Sequence, residues 1–594
     1  MTTESYIRDK QFQTIGFAYC IDEQDPVWVS GTDEYITARL HELDLPRHTL
    51  LCHHTAFDGA ILSWRYGIVP KVYLDTLSMA RPLHAHTIVG GSLAKLATHY
   101  ELGEKGKEVI AALGKRRGFF SGTELAQYGE YCKNDVALTR ALYGKLALHI
   151  PKIELYIIDL LLRMYTTPVL ILDYDLLAQH LEMVQTDKER LLNRVRAVDK
   201  ELLMSNPKFA ALLEKLGVVP PTKQSPANGK TTFAFAKTDP AFKALQEHDD
   251  PRVQAVVAAR LGVKSTLEET RTQSLMGVSQ RGTLPIMLQY YGAATGRCAG
   301  GEKLNLQNLP SKPGKNTIRR AIRPPEGHKL VVCDSSQIEA RIVAWLAGQE
   351  DLVKAFADKQ DVYKLTATKL YNIPIEEVDP AQRFIAKVVV LGCGYGMSAN
   401  KFREYIGLQG VKLTEPEAEQ IIKTYRTTNS KIVALWKEVD KALGLMVMDK
   451  NVEVGVMGLK GNGDGFILPN GMLIKYPGLR QDPEGRGFLF DSKYGVKKLY
   501  GAAAVENIVQ ALARIVVFTQ MCNIDHIMRS QDTPRQHYRT VLSVHDETVL
   551  VVPQDKAQET LDELIAIMST APKWAKGLPV ACEGSIADNY GDAK

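Results

Sequence analysis

A multidomain chain of mixed α/β and α+β class is predicted by three observations. The chain has 594 residues, too many for one hydrophobic core, so about three to five domains or subdomains are expected. Its first segments alternate short apolar strands with helices, the pattern of a small α/β unit. Further on, two apolar strand-like runs deliver carboxylates at their ends, Asp334 in K-L-V-V-C-D and Asp546-Glu547 in V-L-S-V-H-D-E.

Composition narrows the classes. Charged residues make up 24% and the formal net charge is +5, a mildly basic balance that permits nucleic-acid binding without demonstrating it. The eight cysteines, Cys20, Cys52, Cys132, Cys298, Cys333, Cys393, Cys522 and Cys582, form no C-x-x-C pair, so neither a zinc site nor a disulfide framework is indicated. Scattered thiols fit a cytoplasmic location. The first ten residues are polar and charged, and no uninterrupted apolar run reaches membrane length, so no signal segment and no membrane partner is expected.

In chain order, residues 11–20 predict a strand, 26–30 a second, 33–43 a helix and 50–53 another strand, after which Asp58 opens a helix. Tyr131 and Asp135 start a helical run and share one face; taken singly, they read as a surface ring and a capping carboxylate. Residues 150–275 carry apolar side chains at three and four spacing, a helical pattern broken at Pro168 and capped at 171–173. Within it, residues 218–233 form a turn-rich basic loop with Lys223 and Lys230, by composition a surface linker; Thr266–Arg271 leads out of the helical region. Arg297 closes a T-G-R triplet, and Asn305, Gln307 and Asn308 follow in L-N-L-Q-N-L-P. Amides that both donate and accept beside an Arg fork suit phosphate or base-edge contacts.

Asp334 ends a buried strand, and the next helix carries Gln337, Glu339 and Arg341. A carboxylate buried there without a partner or metal would be costly. Residues 383–396, R-F-I-A-K-V-V-V-L-G-C-G-Y-G, put Arg383, Lys387, Leu391 and Tyr395 on one helical face. Two cations one turn apart repel unless an anion lies between them, and glycines at 392, 394 and 396 weaken the helix end by roughly 1 kcal/mol each. On spacing alone, an ordinary amphipathic helix with a solvated basic edge serves equally. Residues 400–445 are helical, and 451–500 are strand-rich with hairpin turns at 461–465 and 469–471; the first lacks the ligand pattern of a calcium loop. A long helix follows Tyr500, with Asn507 and Gln510 one turn apart. Two strands then flank His545-Asp546-Glu547.

Together, R-x3-K-x3-L-x3-Y-G, T-G-R with N-L-Q-N-L-P, D-S-S-Q-I-E-A-R and H-D-E, in this order, resemble the motifs of family A DNA polymerases, relatives of DNA polymerase I and most similar to phage replicative members. The resemblance implies a right-hand polymerase: a helical thumb over 150–280, palm over 281–345 and 501–594, and fingers with an insertion over 346–500. It implies template-directed DNA synthesis from primer-template DNA and dNTPs, by a monomer in the cytoplasm of the host cell, with replication accessory proteins as further partners. Asp334 and Asp546 would hold two Mg²⁺ ions, for which Mn²⁺ substitutes, with Glu547 beside them. Arg383 and Lys387 would hold the triphosphate, Lys387 also protonating pyrophosphate; Tyr395 and Leu391 would meet the base pair and sugar. Glu339 would exclude a 2′-hydroxyl, and Gln337 and Tyr363 complete the nucleotide site. Arg297, Asn305, Gln307, Asn308, Asn507, Gln510, His545 and Arg341 would contact DNA or, for Arg341, brace the structure. The family's pattern is departed from at Leu391 (Phe or Tyr), Ser335 (Tyr), Tyr363 (His) and Glu506 (Asn).

Asp58, Tyr131 and Asp135 resemble the second and third motifs of the DEDD 3′–5′ exonucleases, implying an RNase H-like exonuclease domain over 1–149. The D-x-E of that family's first motif is missing: Asp22, Glu23 and Asp25 do not form it, and Glu4 is isolated. Proofreading is therefore expected to be weak or absent, and a gene start placed too far downstream would explain the gap. A DNA-binding protein built on a decayed polymerase is opposed by the acids at 334, 546 and 547; a dominant nuclease is opposed by the missing D-x-E.

Overall fold

A computed structural model describes residues 1–85, 87, 89–106, 114–193, 200–224, 230–236, 239–248, 250–264, 267–485, 487–530 and 538–593. At its centre lies a four-stranded antiparallel sheet, in the order Arg539–Val544, Glu547–Pro553, His328–Ser335, Cys582–Ala587. Val331, Leu550 and Val552 on one face pack with Leu561, Leu564 and Met568 of the helix Ala557–Met568. Val332, Val549 and Val551 join the main core on the other face, as the two-residue alternation of a strand requires.

The helix Gly501–Ser530 runs through that main core, with Ile508, Val509, Leu512 and Val516 fully buried. By length and mean hydropathy it passes for a membrane span, although Glu506, Asn507, Gln510 and Arg514 interrupt its apolar run. Its most apolar window is 78% buried inside the molecule, the state of a core helix. It starts at Gly501 because a Cβ there would lie 1.9 Å from the Trp436 carbonyl oxygen.

The N-terminal region holds Phe17–Tyr19 paired with Val27–Val29, and Thr49–Cys52 parallel to Val72–Asp75. The strand expected over 11–20 shortens to three residues, since Thr14 is instead held by the Tyr66 hydroxyl at 2.7 Å. The helix carrying Asp58 starts at Thr55, and that carrying Tyr131 and Asp135 starts at Gly122, where Ser121 and Glu124 form a capping box. Both start earlier than the apolar pattern implies: Ser121 caps the second, and at the first the His54 and Thr55 N–H groups donate to Asp75 from another strand. The basic loop 218–233 contains a small hairpin, Thr222–Gln224 with Thr231–Phe233. Residues 225–229 and Thr266, to which the loop and lead-out expectations extend, lie outside the described residues. A separate core of Phe209, Phe235, Phe242 and Val256 stabilises the segment that bears this hairpin.

Residues 399–446 form three helices. Residues 452–499 form a four-stranded and a three-stranded antiparallel sheet.

Candidate functional site

The site grows from the central sheet. The antiparallel register sets Asp334 opposite Glu547, and the Ser335 N–H donates to the Asp546 carbonyl at 3.0 Å. The turn linking the two flanking strands is tight because His545 adopts φ +54°. Asp334 at its strand end and Asp546 in the turn are thereby held side by side and half-exposed. Both offer hard oxygen donors, and a cation already approaches: Arg297 Nη2 lies 3.7 Å from Asp546 Oδ1. The pair fits a divalent ion such as Mg²⁺. Among the described residues, no cluster of three or more His, Cys, Asp or Glu side chains could hold a metal. Any ion here would complete its shell with water or phosphate oxygens.

Glu547 faces inward instead. It is fully buried, the Tyr590 hydroxyl donates to its Oε1 at 2.5 Å, and Arg319 Nη2 donates to that hydroxyl at 2.8 Å. Its side chain shares the face of Asp334, but burial and the Tyr590 bond commit it to holding the sheet rather than to the open position expected of a reacting group.

Above the sheet, Arg297 is ion-paired with Glu339, and the Tyr395 hydroxyl donates to Glu339 Oε2 at 3.4 Å. Burial, then the Glu339 charge, push the Tyr395 phenol well above its ordinary value. Glu506 is raised too, by burial and then by Glu339, while Arg297 opposes. Gln510 donates to Glu506 at 3.1 Å and accepts from Thr295 at 3.4 Å, and Asn507 donates to the Tyr476 hydroxyl at 3.1 Å. The T-G-R triplet, the helix after Asp334, the helix after Tyr500 and the end of the cationic helix therefore meet around one carboxylate. A cleft lined by Arg297, Gln307, His545 and Asp546 adjoins it. Asn305 caps the turn Leu306–Asn308 through the Gln307 N–H, and Asn308 is exposed.

The cationic helix spans Pro380–Cys393, started by an Asp379–Gln382 capping box and Pro380. Arg383, Lys387 and Leu391 share its outer face, with Lys387 and Leu391 exposed. Tyr395 lies past the helix end, where Trp436 Nε1 donates to the Gly394 carbonyl at 2.9 Å and Gly396 takes φ +80°. Arg383 Nε donates to Asp361 at 2.7 Å, and Asp361 also caps the helix Val362–Tyr371. Burial works against the Asp361 carboxylate, yet Arg383 and the cap hold it below its ordinary value.

Two expectations change here. Tyr363 is buried, its ring lying 5.3 Å from the Arg383 guanidinium and 5.9 Å from Lys387 Nζ, with Gln337 at its hydroxyl; it is a floor for the cations rather than a phosphate contact. Arg341 is buried as well, donating to the carbonyls of Ser336, Pro579 and Phe356 at 2.7, 3.1 and 3.3 Å. A guanidinium so engaged braces the chain and does not reach DNA. Lys223 lies 3.5 Å from Asp239 and so has an acidic partner within its own segment.

In the N-terminal region Asp58, Tyr131 and Asp135 do converge, and Lys105, which sequence reasoning missed, sits among them. Its Nζ ion-pairs with Asp135 and donates to the Tyr131 hydroxyl at 2.7 Å. Burial, then the Asp75 charge, push Asp58 up to about 7. Asp75 is committed to capping the helix Thr76–Ala80, and Glu4 is committed to Arg281 at 2.7 Å. Asp22, Glu23 and Asp25 are exposed. Lys105 thus already supplies Asp135 with a cationic partner from within the chain.

A four-stranded sheet presenting two aspartates, with a cationic helix whose end brings Tyr395 to the site and a further helical segment, has the architecture of a right-hand polymerase. The POL domain of Pol1 from M. smegmatis, in complex with DNA primer-template and dNTP, shares this fold at TM-score 0.69 and 20% identity, over 96% of this chain and 91% of that one. Residues 175–446 match the family model described as DNA polymerase family A. The DNA polymerase of Bacillus phage SP02 is 30% identical over 61% of each chain. DNA polymerase I of Pseudomonas aeruginosa is 26% identical over 100% of this chain and 63% of its own. The chain's similarity to DNA polymerase family A thus lies in residues 175–446 and in these two relatives. It spans less than two thirds of the length of these two curated relatives.

Proposed function

We propose that this chain extends a DNA primer by adding dNTPs directed by a template. The observation that carries the reading is the convergence of Asp334, Asp546, Arg297, Glu339 and Tyr395, the last just past the end of the helix whose outer face carries Arg383 and Lys387. In this reading residues 281–345 and 501–594 serve as palm, 346–500 as fingers with an insertion, and 150–280 as thumb. Asp334 and Asp546 hold two Mg²⁺ ions, or Mn²⁺ in their place, which activate the primer 3′-hydroxyl and neutralise charge on the triphosphate. Arg383 leaves Asp361 to bind the phosphates, and Lys387, the exposed ammonium next to it, binds them and protonates the pyrophosphate. Tyr395, Leu391, Glu339 and Gln337 bound the base and sugar of the incoming nucleotide. Arg297, Asn305, Gln307, Asn308, Asn507, Gln510 and His545 line the side toward the DNA. We place the protein in the cytoplasm as a monomer, with replication accessory proteins as further partners.

Residues 1–149 are read as an exonuclease-like domain without nuclease action, supported by Lys105 within its acidic cluster. The test is a 5′-labelled primer on a longer template with Mg²⁺, incubated with and without the four dNTPs. Extension with dNTPs and an intact primer without them are expected. Failure to extend rejects the reading, and a shortening primer rejects the silent nuclease.

A further inference from the structure

The sheet that carries Asp334 bears a thiol pair on its opposite face. Cys333 is matched with Gly584 and Ser335 with Cys582, so the two cysteines stand diagonally on one face of neighbouring strands, and Asp334 points to the other. The two thiols are neighbours, each the first influence on the other's ionisation. Ser569 Oγ lies 3.4 Å from Cys582 Sγ, and the Ile565 carbonyl lies 3.6 Å from it. Cys582 is partly exposed and Cys333 buried.

We propose that Cys333 and Cys582 are an oxidisable dithiol, Cys582 attacking a peroxide and Cys333 resolving the product into a disulfide. Ser569 Oγ, 3.4 Å from Cys582 Sγ, is placed to donate to the Cys582 thiolate, the reactive form. In the first step the Cys582 sulfur attacks one oxygen of hydrogen peroxide. The O–O bond breaks, the leaving oxygen departs as water after taking a proton, and the sulfur is oxidised to a sulfenic acid. In the second step the Cys333 sulfur attacks that sulfur, the S–O bond breaks, and a second water leaves with the Cys333 proton. A diagonal pair is about 7–8 Å apart, beyond the roughly 7 Å between Cα atoms that a disulfide bridges without backbone movement, so closing the bond must draw the two strands together one residue from Asp334. Loss of primer extension on oxidation is the consequence; this consequence rests on the polymerase reading, whereas the thiol chemistry does not.

The test treats the full chain with hydrogen peroxide, blocks remaining thiols, and maps tryptic peptides by mass spectrometry, with primer extension measured in parallel. Expected are a Cys333–Cys582 cross-linked peptide, an extension rate at least tenfold lower, and recovery with dithiothreitol. Cys582→Ser extends normally and resists peroxide, and Cys333→Ala leaves a dimedone-reactive sulfenic acid at Cys582. Peroxide treatment that yields no such cross-link overturns the dithiol. A cross-link that leaves extension unchanged overturns the coupling to Asp334. A cross-link in a chain that never extends a primer leaves the dithiol standing and rejects the polymerase reading.

Discussion

Arg383 is held by Asp361 at 2.7 Å, so nucleotide binding must exchange one anionic partner for another. A charge-assisted hydrogen bond contributes about 1.5–3 kcal/mol. Arg383→Ala is accordingly expected to raise the KM for dNTP roughly tenfold to a hundredfold, read by steady-state single-nucleotide incorporation; an unchanged KM removes Arg383 from the phosphate site. At this scale the sequence was informative where chemistry is local. Asp334, Asp546, Arg383 and Lys387 sit in short motifs, and the structure gathers the first two in one sheet and the cations on one helical face. It was silent where a partner comes from far along the chain. Lys105 reaches Asp135 from 30 residues away, and Tyr590 reaches Glu547 from 43; no local spacing encodes either. The inward turn of Glu547 and the burial of Arg341 follow from tertiary packing, which a motif does not carry.

Elements are tied together by one buried ion pair. Arg514 donates to both Glu154 oxygens at 2.5 and 2.7 Å, and Tyr290 and Asn470 add hydrogen bonds at 2.7 Å each. Helix Lys152–Thr166, helix Gly501–Ser530 and the sheet region near Asn470 meet there. Removing one partner of such a pair leaves a buried charge and costs about 3–5 kcal/mol, so Arg514→Met is expected to lower the first thermal unfolding transition markedly. Burial opposes the Glu154 carboxylate, but the Arg514 charge and its hydrogen bonds hold it below its ordinary value. A carboxyl depressed in the folded state stabilises above its unfolded value, about 4.3, and loses that contribution as pH falls through the folded value. Scanning calorimetry from pH 7 downward is therefore expected to show this part of the acid destabilisation only below about pH 4.3, and the Glu154→Met/Arg514→Met double variant to lack it. At the end of the cationic helix, Gly396 has φ +80° and a Cβ there would lie 2.9 Å from that of Ala502. Gly396→Ala is expected to cost roughly 1–2 kcal/mol in backbone strain and to slow nucleotide incorporation; wild-type stability and rate together would show that the glycine is dispensable. The helix itself was legible from its apolar period, whereas the boundaries of the N-terminal helices were not, since Ser121 and the distant Asp75 set them outside the periodic stretch.

For the whole molecule, one continuous core runs from Ile7 to Ala593 and includes Ala60, Tyr165, Leu330 and Leu512, so the N-terminal region is packed into the same body as the central sheet. This gives it a structural role. Asp135→Ala is expected to leave primer stability unchanged in the absence of dNTPs, as judged by gel; a slower loss of primer in the variant would restore a nuclease role. The alternation of elements and the order of the motifs were enough to anticipate the architecture. The order of strands in the central sheet was not, because Cys582–Ala587 joins it from the far end of the chain. The measurement that tests the central claim most directly is single-turnover incorporation of one templated dNTP by the parent chain and by Asp546→Asn, with primer-template affinity measured alongside. The account predicts templated incorporation by the parent and a rate at least a thousandfold lower in the variant at similar affinity; incorporation at the parental rate by Asp546→Asn would contradict it.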